Sequence, residues 1–241
     1  MSILAAYAVP HPPLIIPAIG AGREQEISAT VRAYHEIMRA AAELRPDTVV
    51  IISPHATAYD DFFHISPGEA AEGNFSAFGH PEITIGIEYD VDFVRALSAA
   101  AGARDIPAGT LGERAAALDH GVMIPLFFLS EYLGDAPTKF VRIGISGLSA
   151  HTHAMLGQAI AAASQQLGRR TICIASGDLS HRLKEDGPYG IVPEGAEFDE
   201  LCTAFMKTGD FLSLLQIPGS FAEVAGHCGL NGLWVLAGAL D

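Results

Sequence analysis

Charge is scarce in this chain, and positive charge scarcest. Only 17% of the 241 residues are charged; 14 Lys and Arg stand against 28 Asp and Glu, for a formal net charge of −14. A surface this acidic repels phosphate backbones, which argues against nucleic acid as a partner. Cysteine is sparse too. Cys173, Cys202 and Cys228 are scattered and odd in number, so they form no disulfide framework. The opening MSILAAYAVPHPP lacks a basic n-region and a small-residue cleavage site, and the cysteine count then points to a reducing compartment. No apolar run reaches the ~20 residues of a membrane span. The expectation is a soluble cytoplasmic protein that engages no membrane. Linkers, internal repeats and low-complexity tails are also missing, so one domain is expected, and a hydrophobic content of 49% is ample for its core.

What is present alternates. Short apolar runs without polar alternation occupy Ile3–Val9, Thr48–Ser53, 139–146 and Thr171–Ser176, a pattern that suits strands buried on both faces of a sheet. Between them lie stretches of helical period: 23–44, ending at Arg45-Pro46; 90–101; 154–167, ending at Gly168; and 221–240. This alternation predicts an α/β single-domain sandwich with a mostly parallel central sheet flanked by helices. Segments 61–67 and 82–90 read as strands of an inserted hairpin or an edge extension. Between them GEAAEGNFSAFGHP reads as loop, and 184–195 as a second one. Loops of this length are often functional.

Three strand runs each deliver a histidine just past their C-terminal end. They are His11 in PHPP, His55 in SPH and His181 in SGDLSH. Ligands of open α/β sheets bind beyond those ends, and neutral imidazole is the usual nitrogen ligand of Fe, Zn and Mn. Any one of the three has an ordinary explanation as a capping or core residue; three at equivalent positions weaken that explanation. Prolines beside His11 and before His55 stiffen the approach of each side chain. His120 opens an apolar helix-like stretch, and Asp119 either orients an imidazole or caps the helix. Asp178 either supports His181 or forms the turn. His35 reads as a surface residue, His64 and His80 as flanks of the Gly-rich loop, and His151 and His153 as exposed helix-start residues. Near the end, FAEVAGHCGLNG places Glu223 and His227 four apart, on one helical face. Glu223, His227 and Cys228 are each candidate metal ligands; the alternatives are an exposed acid, a packed histidine and a small buried hydrophobe. Cys173 and Cys202 are assigned to packing.

Taken together, PHPP, SPH, LDHG, SGDLSH and a late CG resemble the class III extradiol ring-cleavage dioxygenases of the LigB type. The nearest branch is the one associated with AMMECR1 domains and related to the Memo proteins. The resemblance spans essentially all of 1–241. Family domains usually run on past AGAL, so it also implies a domain short at its C-terminal side. By position it implies His11 and His55 as metal ligands, His181 as the catalytic histidine beside substrate and dioxygen, and His120 as a pocket histidine. The family's third ligand is a glutamate; the branch typically reads Glu-Cys-Gly where this chain reads His227-Cys228-Gly229. Memo-like proteins place the cysteine there. Glu223, His227 and Cys228 therefore all stand open as third ligand.

The resemblance implies Fe(II) as cofactor, with Zn or Cu as alternatives. Two histidines and a carboxylate form the facial set of non-haem Fe(II) oxygenases, leaving positions for a small aromatic diol and O2. His181 would then serve as acid and base, and His120 would steady a substrate hydroxyl. A cysteine ligand would instead favour Zn or Cu(I) and a Memo-like metal-binding or interaction protein without ring cleavage. A Zn hydrolase using metal-bound water is a third reading. The family resemblance further implies a homo-oligomer and association with an AMMECR1-type protein. The cations nearest the motifs are Arg114, Arg182 and Lys184, too dispersed to define an acidic substrate.

Overall fold

The computed structural model describes residues 3–241. Its strands are β1 (Ile3–Val9), β2 (Thr48–Ser53), β3 (Phe63–His64), β4 (Ala70–Phe75), β5 (His80–Glu88), β6 (Ala108–Gly109), β7 (Lys139–Gly144) and β8 (Thr171–Ser176). Its α-helices are α1 (Pro17–Gly20), α2 (Ser28–Glu43), α3 (Val91–Gly102), α4 (His120–Leu133), α5 (Ala150–Leu167), α6 (Pro193–Thr208), α7 (Gly219–Ala225) and α8 (Leu230–Leu240). The expected α/β sandwich is what forms. The central sheet is parallel throughout, in the order β1-β8-β2-β7.

Alternate residues of the buried strands feed two cores. Val49, Ile51, Ile172 and Ile174 pack with Tyr34 and Met38 of α2 and with the apolar side of α4. Val50, Ile52, Cys173 and Ala175 pack with α3, α5 and α8. Each strand is thus covered on both faces, which is why its sequence shows no alternation. A third cluster gathers Phe198, Cys202, Leu214 and Leu230 beneath α6 and α7. Among the described residues, no helix is long and apolar enough to cross a membrane.

The chain order matters for the site. β8 inserts between β1 and β2, so the ends of β1 and β2 flank the end of β8; Val9 lies level with Ser176, and Ala175 with Ile52. Such a crevice beyond the carboxyl ends of the strands is where open sheets bind ligands.

Four readings are corrected. β5 pairs not with 61–67 but with β4, inside the stretch taken for loop. β4 carries Ala70-Ala71-Glu72-Gly73, without β-branched residues to mark a strand. Its Gly73 packs so closely on the start of α4 and the residues before it that a Cβ would lie 2.5 Å from Leu118 O and 2.7 Å from Met123 Sδ. Segment 61–67 instead pairs through β3 with β6, and it bridges the edge strand β7 at Ile65–Ile143 as 82–90 does at Tyr89–Phe140, so the edge extension holds and the hairpin does not. The helix expected over 221–240 is two helices, because Gly226 takes a left-handed conformation (φ 65°) that ends α7. Glu223 and His227 therefore share no helical face. Finally, His153 is buried, not exposed: its Nδ1 lies 3.0 Å from Ser149 O, and its ring packs on Phe63 and Trp234.

Candidate metal centre

β1 ends at Val9 and Pro10 turns His11 inward, where it is 3% exposed. Two long-range bonds fix it. Its N–H donates to Asp178 Oδ1 at 2.8 Å, and its Nδ1 lies 3.0 Å from Ser176 Oγ. With Nδ1 engaged, Nε2 is left to face the crevice. There it stands 3.1 Å from His55 Nε2 and 3.5 Å from Cys228 Sγ. His55 is exposed, so the cluster is buried at His11 and open to solvent above it.

His120 enters from the first turn of α4. Asp119 caps that helix: its Oδ1 accepts from Val122 N at 3.1 Å and from Ser53 Oγ at 2.6 Å. The bond to Ser53 pins the start of α4 to the end of β2. Gly121 then allows the close approach, since a Cβ there would meet Ser53 Oγ at 2.5 Å and His11 Nδ1 at 3.4 Å. The His120 ring lies 4.1 Å from that of His55 and 5.2 Å from that of His11, centroid to centroid, with Phe78 on another side at 5.5 Å.

Cys228 is delivered by backbone stitching between the turn after β8 and the break before α8. His181 N donates to Gly226 O at 2.8 Å, while Cys228 N and Gly229 N donate to Asp178 O at 3.1 and 2.9 Å. Asp178 N in turn donates to Cys228 Sγ at 3.1 Å. His181 lies at the rim, with its Nε2 3.7 Å from Asp178 Oδ2 and Tyr189 alongside at 5.3 Å. His227 points elsewhere. It stacks on Phe198 at 5.0 Å, and its Nδ1 accepts from Leu230 N at 3.3 Å. Glu223 is exposed on α7.

Two groups of three potential ligands each hold their donor atoms within 4.8 Å of one another: His11, His55 and His120; and His11, Asp178 and Cys228. His11 is common to both. Neither group contains Glu223 or His227.

The donor spacing fits a transition metal. Two imidazole nitrogens at ~2.0–2.1 Å from one ion stand about 2.9–3.4 Å apart for angles between square and tetrahedral. A thiolate sulfur at ~2.3 Å and an imidazole nitrogen are about 3.5 Å apart at the tetrahedral angle. The observed 3.1 and 3.5 Å fall on these values pair by pair, with His55 and Cys228 standing in different groups about His11. Asp119 Oδ2, beside His120, is also buried without a hydrogen-bond partner, as suits a carboxylate beside a cation. Protonation points the same way. Burial pushes His11 down to about 4; Asp178 opposes this, and His55 and His120 add to the fall. Burial lowers His120 as well. Both are therefore neutral near pH 7, the form that ligates metal. Burial drives the Cys228 thiol up to about 11; a cation reverses that order, because a coordinating thiol is deprotonated outright.

The pattern of the catalytic LigB subunit of aromatic ring-opening dioxygenase matches residues 5–241. The chain belongs to the LigB family. Among curated relatives it is 31% identical over 248 residues to Protein CA_C1420 of Clostridium acetobutylicum, covering 100% of this chain and 53% of that protein. It is 28% identical over 257 residues to a MEMO1 family protein of Thermococcus onnurineus, covering 99% and 77% respectively. The chain thus spans about half the length of the first relative. A crystal structure of protein JW3007 from Escherichia coli K12 superposes with a TM-score of 0.55, covering 85% of this chain and 81% of that one. At 19% identity that likeness concerns the fold alone. Family membership agrees with the motifs, and the MEMO1-family relative agrees with the Memo-like branch.

Some members of this LigB-family site carry no sequence signal that marks them. Ser53 and Ser176 end apolar strands as ordinary small residues. Asp199, whose Oδ1 accepts from Ser180 N at 2.8 Å and so secures the SGDLSH turn, sits in an unremarkable amphipathic helix.

Proposed function

We propose that the chain is a Memo-like metal-binding protein. A single transition-metal ion is held at His11 with His55, and Cys228, which lies beside His11 but in the other ligand group, closes on the ion as the third protein donor when it binds. The observation that carries this reading is the position of Cys228 Sγ, 3.5 Å from His11 Nε2, together with the exposure of Glu223. Two imidazoles and a thiolate suit Zn and Cu(I), and also accept Fe. When bound, the ion supplies a Lewis-acidic and, if Cu or Fe, a redox-active centre. The protein's own groups do the rest. Ser176 and Asp178 hold the His11 ring and backbone. Asp178 N–H donates to the sulfur that is to carry charge. His181, at the solvent rim beside Asp178, is placed to take or give a proton to a molecule entering the crevice.

A second reading is Fe(II)-dependent extradiol cleavage of a small aromatic diol with O2. It is favoured by Asp178 Oδ2, 3.9 Å from His11 Nε2, which offers a carboxylate beside the histidine that both ligand groups share. In that case His181 acts as acid and base, and His120 steadies a hydroxyl.

One experiment separates the two. Metal content is measured on anaerobically purified wild-type protein and on Cys228→Ser, with catechol-dependent O2 uptake on the same samples. Bound metal in the wild type, lost in Cys228→Ser, with no uptake after Fe(II) loading, is the expected result. Fe(II) retained in Cys228→Ser with uptake intact would replace the first reading by the second.

A further inference from the structure

Outside the histidine cluster, one buried charge is bonded to the segment that feeds His120 and, through Glu113, linked to the segment that feeds His55. Arg142 of β7 is 1% exposed. Its Nε donates to Ser66 Oγ at 2.6 Å, its Nη1 to Ala117 O at 2.7 Å and its Nη2 to Ala115 O at 2.7 Å. Nη2 also reaches Glu113 Oε2 at 3.3 Å. The other Glu113 oxygen accepts from Thr57 Oγ1 at 2.8 Å and from Ala115 N at 2.9 Å. Thr57 Oγ1 accepts in turn from Arg114 N at 3.3 Å.

The placement of these partners is informative. Thr57 lies two residues past His55, and Ala117 lies two before Asp119 and three before His120. Residues 110–119 belong to no helix or strand, so their carbonyls have no ladder to join and need other donors. A planar guanidinium can satisfy two carbonyls and a carboxylate at once; a lysine ammonium cannot match that fork. Burying a guanidinium is costly, and an apolar side chain would fill the same space more cheaply. What the charge contributes is position.

We infer that Arg142 is a positioning residue for the metal centre: with Glu113 and Thr57 it clamps the His55 segment to the His120 segment and so sets the separation of those two imidazoles. The inference rests on the metal-centre reading above.

Two variants test it. Arg142→Lys keeps the charge and loses the fork. Thr57→Val cuts the link to Glu113 without touching a buried charge. Co(II) affinity is read from the absorption bands of the folded proteins, alongside Tm. The dissociation constant should weaken about 10- to 100-fold in both, as for other groups that orient metal ligands. Leu156→Ala, on the buried face of α5, should lower Tm and keep the wild-type constant. Wild-type affinity in folded Arg142→Lys and Thr57→Val would overturn the inference. Hydrogen exchange gives a readout that needs no metal. Exchange should rise over 55–58 and 113–121 in both variants and not in Leu156→Ala. If the wild type binds no Co(II), the metal-centre reading falls separately, and exchange still decides the clamp; unchanged exchange over those segments sinks it. If Arg142→Lys does not fold, Thr57→Val carries both measurements.

Discussion

Gly177 and Gly229 meet backbone to backbone. A Cβ on Gly177 would lie 2.3 Å from the Gly229 Cα, and one on Gly229 would lie 2.9 Å from Gly177 O. This contact brings the turn after β8 against the break before α8, and through it Cys228 reaches His11. Gly177→Ala and Gly229→Ala should each lower stability by about 1–3 kcal/mol, the usual cost of overpacking. Unlike a remote core change of equal cost, each should also weaken metal binding. Urea midpoints and metal stoichiometry on the same preparations check both effects; unaltered metal binding would separate the contact from the site.

Ser176 holds His11 Nδ1 and so aims Nε2. Ser176→Ala should retain the fold, at about 1–3 kcal/mol for a buried polar group left unpaired, and weaken metal affinity by about tenfold or more. His11→Ala should abolish binding. Competition against a chromophoric chelator measures both.

His181 stands at the rim and enters neither group of clustered ligand atoms. His181→Ala should therefore keep the metal. Any turnover that uses it as acid or base should fall about 10²–10⁴-fold. Loss of metal from this variant would move His181 among the ligands.

His153 provides a test of acid sensitivity away from the ligands. Burial lowers its folded pKa below the ordinary 6.5. The unfolded chain then binds the proton more readily. The stability is fully present above about pH 6.5 and declines as pH falls toward the lower folded value, by at most about 1.4 kcal/mol per pH unit for this one group. His153→Gln should cost stability at pH 8, and the gap to wild type should narrow at pH 5. Urea unfolding at both values tests this; a constant gap would show that His153 does not titrate on unfolding.

Much of the architecture was open to reading along the chain. β1, β2 and β8 carry unbroken apolar runs because both faces of the central sheet are covered, and such burial leaves its mark on every residue. The histidines after β1 and β2 were equally plain, since proline next to each marks a stiff exit from a strand. β4 escaped notice because Ala70, Ala71 and Gly73 have little strand preference of their own; the pairing with β5 and the contact with Leu118 make it a strand. His153 reads as exposed because a helix start looks so until Phe63 and Trp234 close over it.

Local pattern thus settled the four central strands, most of the helices packed on them and the histidines at the ends of β1, β2 and β8, because propensity, periodicity and turn chemistry act over a few residues. Nothing local decided that β8 would lie between β1 and β2, that Gly226 would turn Glu223 away, or that Cys228 would arrive beside His11 from 217 residues along the chain. Nor did it indicate that Arg142 would bridge the approaches to His55 and His120. Those outcomes depend on packing and hydrogen bonds between segments distant in sequence, whose energies exist only once the chain is closed on itself.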